Sequence, residues 1–120
     1  YAPVRYDNVE LSSERMPLSG TLRVRATVTN TGTRDAEEVV QLYVAERAAS
    51  VTRPVRELKG FRKLSIAPGA SEVVEFTLTA DDLSFIGRDM KPTVEPGEFD
   101  LWVAPSAASG IRKRFVLTRD

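Results

Sequence analysis

The chain has no histidine and no cysteine, and the two absences together narrow its chemistry sharply. Without imidazole or thiol there is no ordinary general base at neutral pH, no thiolate nucleophile, no Ser-His triad and no nitrogen or sulfur metal site. No disulfide can form, which removes one argument for export without excluding it, so the compartment stays open. Charge of one sign is also lacking: 17 basic side chains balance 17 acidic ones, leaving no overall field toward nucleic acid or an anionic membrane. Neither partner is expected. No apolar run approaches the roughly 20 residues of a membrane span, and the first residues lack a signal-peptide pattern. Internal repeats and low-complexity tracts are missing too.

What is present is alternation. At 120 residues the chain has the size of one domain, 1–120, somewhat longer than the roughly 100 residues of a seven-stranded sandwich and large enough to bury a core. Several short runs alternate apolar and polar with period two, divided by turn residues. Val4 to Leu11 reads as a first strand. In the next, Leu22, Val24, Ala26 and Val28 point inward, and Asn30-Thr31-Gly32 turns the chain. Val39 to Ala45 has apolar residues on both faces, Val40, Leu42 and Val44 against Val39 and Tyr43, the pattern of a central strand covered on both sides. Leu58, Leu64 and Ile66 share a parity that Phe61 breaks, with Gly60 placed where a bulge absorbs the slip. Val74, Phe76 and Leu78 lead to Thr79-Ala80-Asp81-Asp82-Leu83, a capped helical turn near 80–85 that tucks Leu83 and Phe85 against the core. Phe99, Leu101 and Val103 point inward in the next strand, and Phe115 and Leu117 in the last. The expected fold is all-β, an immunoglobulin-like two-sheet sandwich of seven to eight antiparallel strands.

Four motifs are more specific than alternation. Arg53-Pro-x-x-Glu-Leu-Lys-Gly-Phe61 is followed by Leu64-x-Ile-x-Pro-Gly69, by Phe76-x-Leu-x-x-x-Asp-Leu83 and by Glu95-Pro-Gly-Glu-Phe99. In this order they resemble the C-terminal fibronectin type III-like domain of family 3 glycoside hydrolases, the β-glucosidase and β-xylosidase family. The resemblance runs from about Thr21 to Ser106. It implies a non-catalytic module, because the family's nucleophile and acid/base belong to upstream domains, and it implies those catalytic domains as partners. A start at Tyr1 rather than methionine agrees with a piece cut from a longer polypeptide. Met90-Lys91-Pro92 departs from the family's pattern, so no contact of that loop is carried over.

Only carboxylates remain as catalytic candidates, and glycoside hydrolysis needs two of them facing across a cleft, roughly 5 to 9.5 Å apart, with one held protonated. Asp81 and Asp82 fall at a helix start, where capping explains them, and Glu95 and Glu98 flank a turn. A calcium site from Asp81, Asp82, Asp89 or Glu95 lacks acids at ligand spacing, and Gly87-Arg88-Asp89 lacks the clustered glycines of a phosphate loop. No catalytic residue, cofactor or metal is expected.

The outward-facing aromatics form the candidate site. Neighbouring third and sixth strands of the sandwich would set Tyr43 beside Trp102, with Phe61 joining and Arg112 or Arg114 on the next strand. Arg53, Arg56 and Lys59 add a basic run around Glu57, and Pro54 fixes the loop before the strand. The expected docking surface is therefore Arg53, Pro54, Arg56, Lys59, Phe61, Tyr43 and Trp102. Three readings of the rings stand side by side: loop-covered rings serving stability, docking against catalytic domains, and a platform for polysaccharide. A generic immunoglobulin-like interaction module is a further alternative.

Overall fold

Leu22, Val24, Ala26 and Val28 alternate with Arg23, Arg25, Thr27 and Thr29, and the computed structural model buries the first set almost completely. It describes residues 3–47, 56–86 and 90–120. The strands are β1 (Val4–Leu11), β2 (Arg15–Pro17), β3 (Thr21–Asn30), β4 (Ala36–Glu46), β5 (Glu57–Ile66), β6 (Ser71–Thr79), β7 (Phe85–Ile86), β8 (Pro92–Thr93), β9 (Gly97–Ala104) and β10 (Ile111–Thr118). Eight of them form two sheets, ordered β1-β3-β6 and β2-β10-β9-β4-β5, while β7 and β8 pair with each other. This is the expected immunoglobulin or fibronectin type III-like sandwich. Every pairing is antiparallel except β2 with β10, which is parallel.

The inner faces meet in one core. Val40, Leu42 and Val44 of β4 lie with Phe99, Leu101 and Val103 of β9, Phe115 and Leu117 of β10, and the inward set of β3 and β6. Phe99 and Phe115 are register partners with stacked rings 5.4 Å apart. Fully buried Asn30 is the polar exception, and every side-chain bond it needs is made. Its amide donates to the carbonyls of Arg34 and Ile66, and its carbonyl accepts from the Gly32 N–H. A satisfied buried polar group fixes a turn where apolar packing alone would leave slack.

The helical turn is present as a 3-10 turn, Ala80–Leu83. The Asp82 carboxylate accepts from the Thr79 backbone N–H at 2.8 Å and from its hydroxyl at 3.2 Å, and Leu83 is buried. The side chain of Phe85 lies outside the described residues.

Two expectations for the strands need correction. In β5 the register slips so that Leu42 faces Gly60 and Tyr43 faces Leu58, leaving Lys59 as the extra residue of a bulge. The bulge sits where Gly60 marked it, but it turns Leu58 outward with Phe61, each 51% exposed. Leu58 therefore leaves the core parity of Leu64 and Ile66. In β4 the outer face is covered at Tyr43 and Ala45 but open at Val39, which is 42% exposed.

Candidate docking face

Register places the outward side chains of the five-stranded sheet in rows. Leu58 faces Tyr43, Tyr43 faces Trp102, and Trp102 faces Arg112, across β5, β4, β9 and β10. A second row sets Phe61 against Gln41 and Ala104, and a third sets Lys63 against Val39. Tyr43 and Trp102 are thus direct neighbours on one face. Tyr43 is nonetheless buried and Trp102 only half-buried, so the openly exposed apolar groups are Val39, Leu58 and Phe61.

The other residues of the expected surface divide by what they touch. Arg56 lays its guanidinium over the Trp102 ring, 3.9 Å from the centroid, and Nη1 donates to the carbonyls of Ala107 and Ser109 at 2.9 Å each. Lys59 pairs with Glu57 at 2.9 Å. The Tyr43 hydroxyl donates to Gln41, whose amide donates to the Pro105 carbonyl. These bonds tie the start of β5 and the middle of β4 to the β9–β10 connection. Arg53 and Pro54 lie outside the described residues, as do Gly87, Arg88 and Asp89.

An ionic cluster on the same face escapes a reading by motif. Asp100, 6% exposed, faces Ala45 on one side and Arg114 on the other. Its Oδ2 accepts from Arg47 Nη1 at 2.9 Å, and its Oδ1 lies 3.7 Å from Arg114 Nε without a hydrogen bond. Arg47 also approaches Glu98 at 3.7 Å. The available signal was an acid inside the apolar run Phe99 to Val103, which in a strand must either face water or hold cations.

The opposite outer face, on the three-stranded sheet, is different in kind. Arg5 pairs with Asp7, Arg25 with Glu75, and the hydroxyls of Thr29 and Ser71 bond at 2.7 Å. Val73 is its one exposed large apolar residue among those described. That face is polar and partly ion-paired.

The carboxylates raised as catalytic or calcium candidates have other surroundings. Asp81 and Asp82 form the first turn of the 3-10 element, Glu98 joins Arg47, and Glu95 is exposed. The negative charge of Glu95 does act on Glu46: burial first, then this charge, raises the Glu46 carboxyl above its ordinary range. Elsewhere Tyr6 donates to Glu38 at 2.5 Å beside an open cleft of about 770 Å³ lined by Pro3, Val4, Arg5, Thr31, Glu37 and Pro105. Burial, then the hydrogen bond and charge of Glu38, hold the Tyr6 hydroxyl protonated far above its usual range.

Comparison with known proteins places this geometry. Residues 38–107 match the fibronectin type III-like domain profile. The chain is 37% identical to a β-xylosidase of Formosa agariphila over 98% of its length, but that match covers 16% of the relative. It is 36% identical to a periplasmic β-glucosidase of Salmonella typhimurium, over 90% of the chain and 14% of the relative. Among solved structures, a β-glucosidase from Erythrobacter marinus superimposes with a TM-score of 0.89 at 34% identity, covering 98% of this chain and 16% of that one. A Listeria innocua β-glucosidase bound to gluconolactone gives 0.90 at 28% identity with the same coverage. The chain therefore spans about one sixth of the relatives it matches.

Proposed function

The chain belongs to the fibronectin type III-like domain family, and from that premise we propose that it is a non-catalytic accessory domain of a family 3 glycoside hydrolase of β-glucosidase or β-xylosidase type. In this reading it docks on the catalytic domains of the same polypeptide and stabilises them, making and breaking no bonds itself. The observation that carries the reading is the small share of each relative that the chain matches. A domain of this size, without imidazole or thiol, with Asp82 capping a turn and Glu98 and Asp100 held beside Arg47, shows no facing carboxylate pair across a cleft among the described residues.

The contrast between the two outer faces supports docking as the mode of action. A sandwich with one largely polar face and one face that gathers exposed apolar groups has the make-up of a contact surface on the second. The region assigned to docking is that of Arg53, Pro54, Arg56, Lys59, Phe61, Tyr43 and Trp102. A polysaccharide platform finds less support, because the Arg56 guanidinium already lies on Trp102 and Tyr43 is buried, which leaves Phe61 as the one open ring of this face among the described residues.

The test is hydrolysis of aryl β-glucoside and β-xyloside substrates by the isolated chain, by the longer polypeptide and by that polypeptide lacking residues 1–120. Activity confined to the polypeptide, with a lower Tm after deletion, is the expected result. Turnover by the isolated chain overturns the accessory reading. An unchanged Tm after deletion overturns the stabilising role.

A further inference from the structure

Three of the five exposed large apolar residues among those described, Val39, Leu58 and Phe61, lie on one face, while Val73 sits alone on the opposite sheet and Met90 in a loop. They are close neighbours by register. Leu58 lies across from Tyr43, Phe61 across from Gln41 two residues along, and Val39 two residues further. The bulge at Lys59 matters here, since a regular β5 would have pointed Leu58 and Phe61 to opposite sides. It keeps both on the outer face.

Cations bracket this strip. Lys63 faces Val39, and Arg112 faces Trp102 at the end of the Leu58 row. Neither forms an ion pair among the described residues. Arg5, Arg25, Arg47, Lys59 and Arg114 lie beside carboxylates, and Arg62 packs on Phe76 and donates to the Glu75 carbonyl. Other cations such as Arg23 are unmatched too among the described residues, and what distinguishes Lys63 and Arg112 is their place beside the exposed apolar strip. Unmatched cations beside an exposed apolar strip fit a partner that brings both apolar side chains and carboxylates.

We propose that the strip Val39, Leu58 and Phe61, with Lys63 and Arg112 beside it, is the contact core of the domain, and that its occupant is an apolar surface bearing carboxylates on the catalytic part of the same polypeptide. This rests on the accessory-domain reading. Two arguments select that occupant. Most of each relative's length lies outside the matched segment, and a tethered surface acts at high effective concentration, so a small patch suffices. A second copy is disfavoured, because a two-fold contact across the strip sets Lys63 and Arg112 of one copy against the same cations of the other. Within the docking region Arg56 acts as a positioning residue, holding the start of β5 to the β9–β10 connection.

Hydroxyl-radical footprinting of side chains, on the isolated chain and on the longer polypeptide, tests the assignment. Labelling of Val39, Leu58 and Phe61 is expected to fall about tenfold in the polypeptide, as for side chains entering an interface core, with Val73 unchanged. The double variant K63E/R112E should restore labelling of the strip, and circular dichroism of the same variant in the isolated chain checks that the sandwich still folds. If the variant does not fold, the single variant F61S serves instead, with the expectation that Val39 and Leu58 regain labelling. Protection of the Val73 face alone overturns this assignment and leaves the accessory reading standing. Protection of neither face overturns both. Concentration-dependent protection in the isolated chain, with dimer in sedimentation velocity, identifies a second copy as the occupant and overturns the proposal.

Discussion

The guanidinium of Arg56 lies 3.9 Å from the centre of the Trp102 ring, joining the residue before β5 to the middle of β9, 46 positions further along the chain. The same side chain donates to the Ala107 and Ser109 carbonyls. One residue thus closes the β9–β10 connection over the outer face. A lysine can supply the charge but not the planar guanidinium that stacks on the ring.

Arg56→Ala should therefore destabilise the domain by about 1–2 kcal/mol, the sum of a partly desolvated cation–π contact and two hydrogen bonds to carbonyls. Arg56→Lys should recover less than half of that loss. Urea unfolding followed by fluorescence of the single tryptophan measures both, and the folded-state emission should shift to the red as Trp102 gains water. An Arg56→Lys variant as stable as the parent would show that charge alone suffices.

Asp100 gives a second expectation. It is buried against Arg47 and Arg114, its Oδ2 bonded and its Oδ1 short of a bond. Removing the acid leaves two cations beside each other with only Glu98 to offset them. Asp100→Ala should cost about 2–3 kcal/mol, more than the Arg114→Ala change, because the orphaned partners matter more than the lost pair. Asp100→Asn, which keeps the shape and loses the charge, should fall between. Chemical denaturation of the three variants checks the order.

Much of this fold can be read from parity. Leu22 to Val28, Val74 to Leu78 and Phe99 to Val103 each face the core as their alternation requires, because a half-buried strand has no other way to place its apolar set. Gly60 with the parity break at Phe61 flags a bulge, yet parity cannot tell which side of the slip faces out, and Leu58 turns away from the core. Edge strands weaken the inference further, since β5 is covered by one neighbour only. The three-residue β2 shows one inward residue, Met16, too few for a period. The Asp100 cluster joins residues 53 and 14 positions apart, and pairing across strands is set by register, which composition does not reveal. The neighbouring of Tyr43 and Trp102 was accessible only because the sandwich topology fixes which strands are adjacent.

Two glycines separate conformational need from space. Gly110 and Gly69 both hold positive φ, +115° and +76°. A Cβ at Gly110 would lie 2.5 Å from the Ala104 Cβ and 2.7 Å from the Val103 carbonyl oxygen, whereas Gly69 has open space. Gly69→Ala should cost about 1 kcal/mol, the strain of the left-handed region. Gly110→Ala adds a backbone clash and should cost about 3 kcal/mol. Thermal unfolding of the pair tests the difference, and equal losses would mean that the β9–β10 connection shifts freely.

Glu46 sets an expectation for pH. Its carboxyl is raised in the folded state, first by burial and then by the charge of Glu95, so the folded protein holds this proton more tightly than the unfolded chain does. Stability from that proton is complete below the unfolded carboxylate range and is lost as pH rises through the higher folded value. At neutral pH the ionised Glu46 therefore weakens the fold. Glu46→Gln should raise Tm at pH 7, and the gain should shrink as pH falls below the ordinary carboxylate range, where wild-type Glu46 is itself neutral. Glu95→Gln should give a smaller gain over the same pH interval, since it removes only the lesser of the two causes. Tm measured from pH 3 to 8 for both variants decides the matter: a gain that does not depend on pH would trace the effect to packing at the end of β4 rather than to the proton.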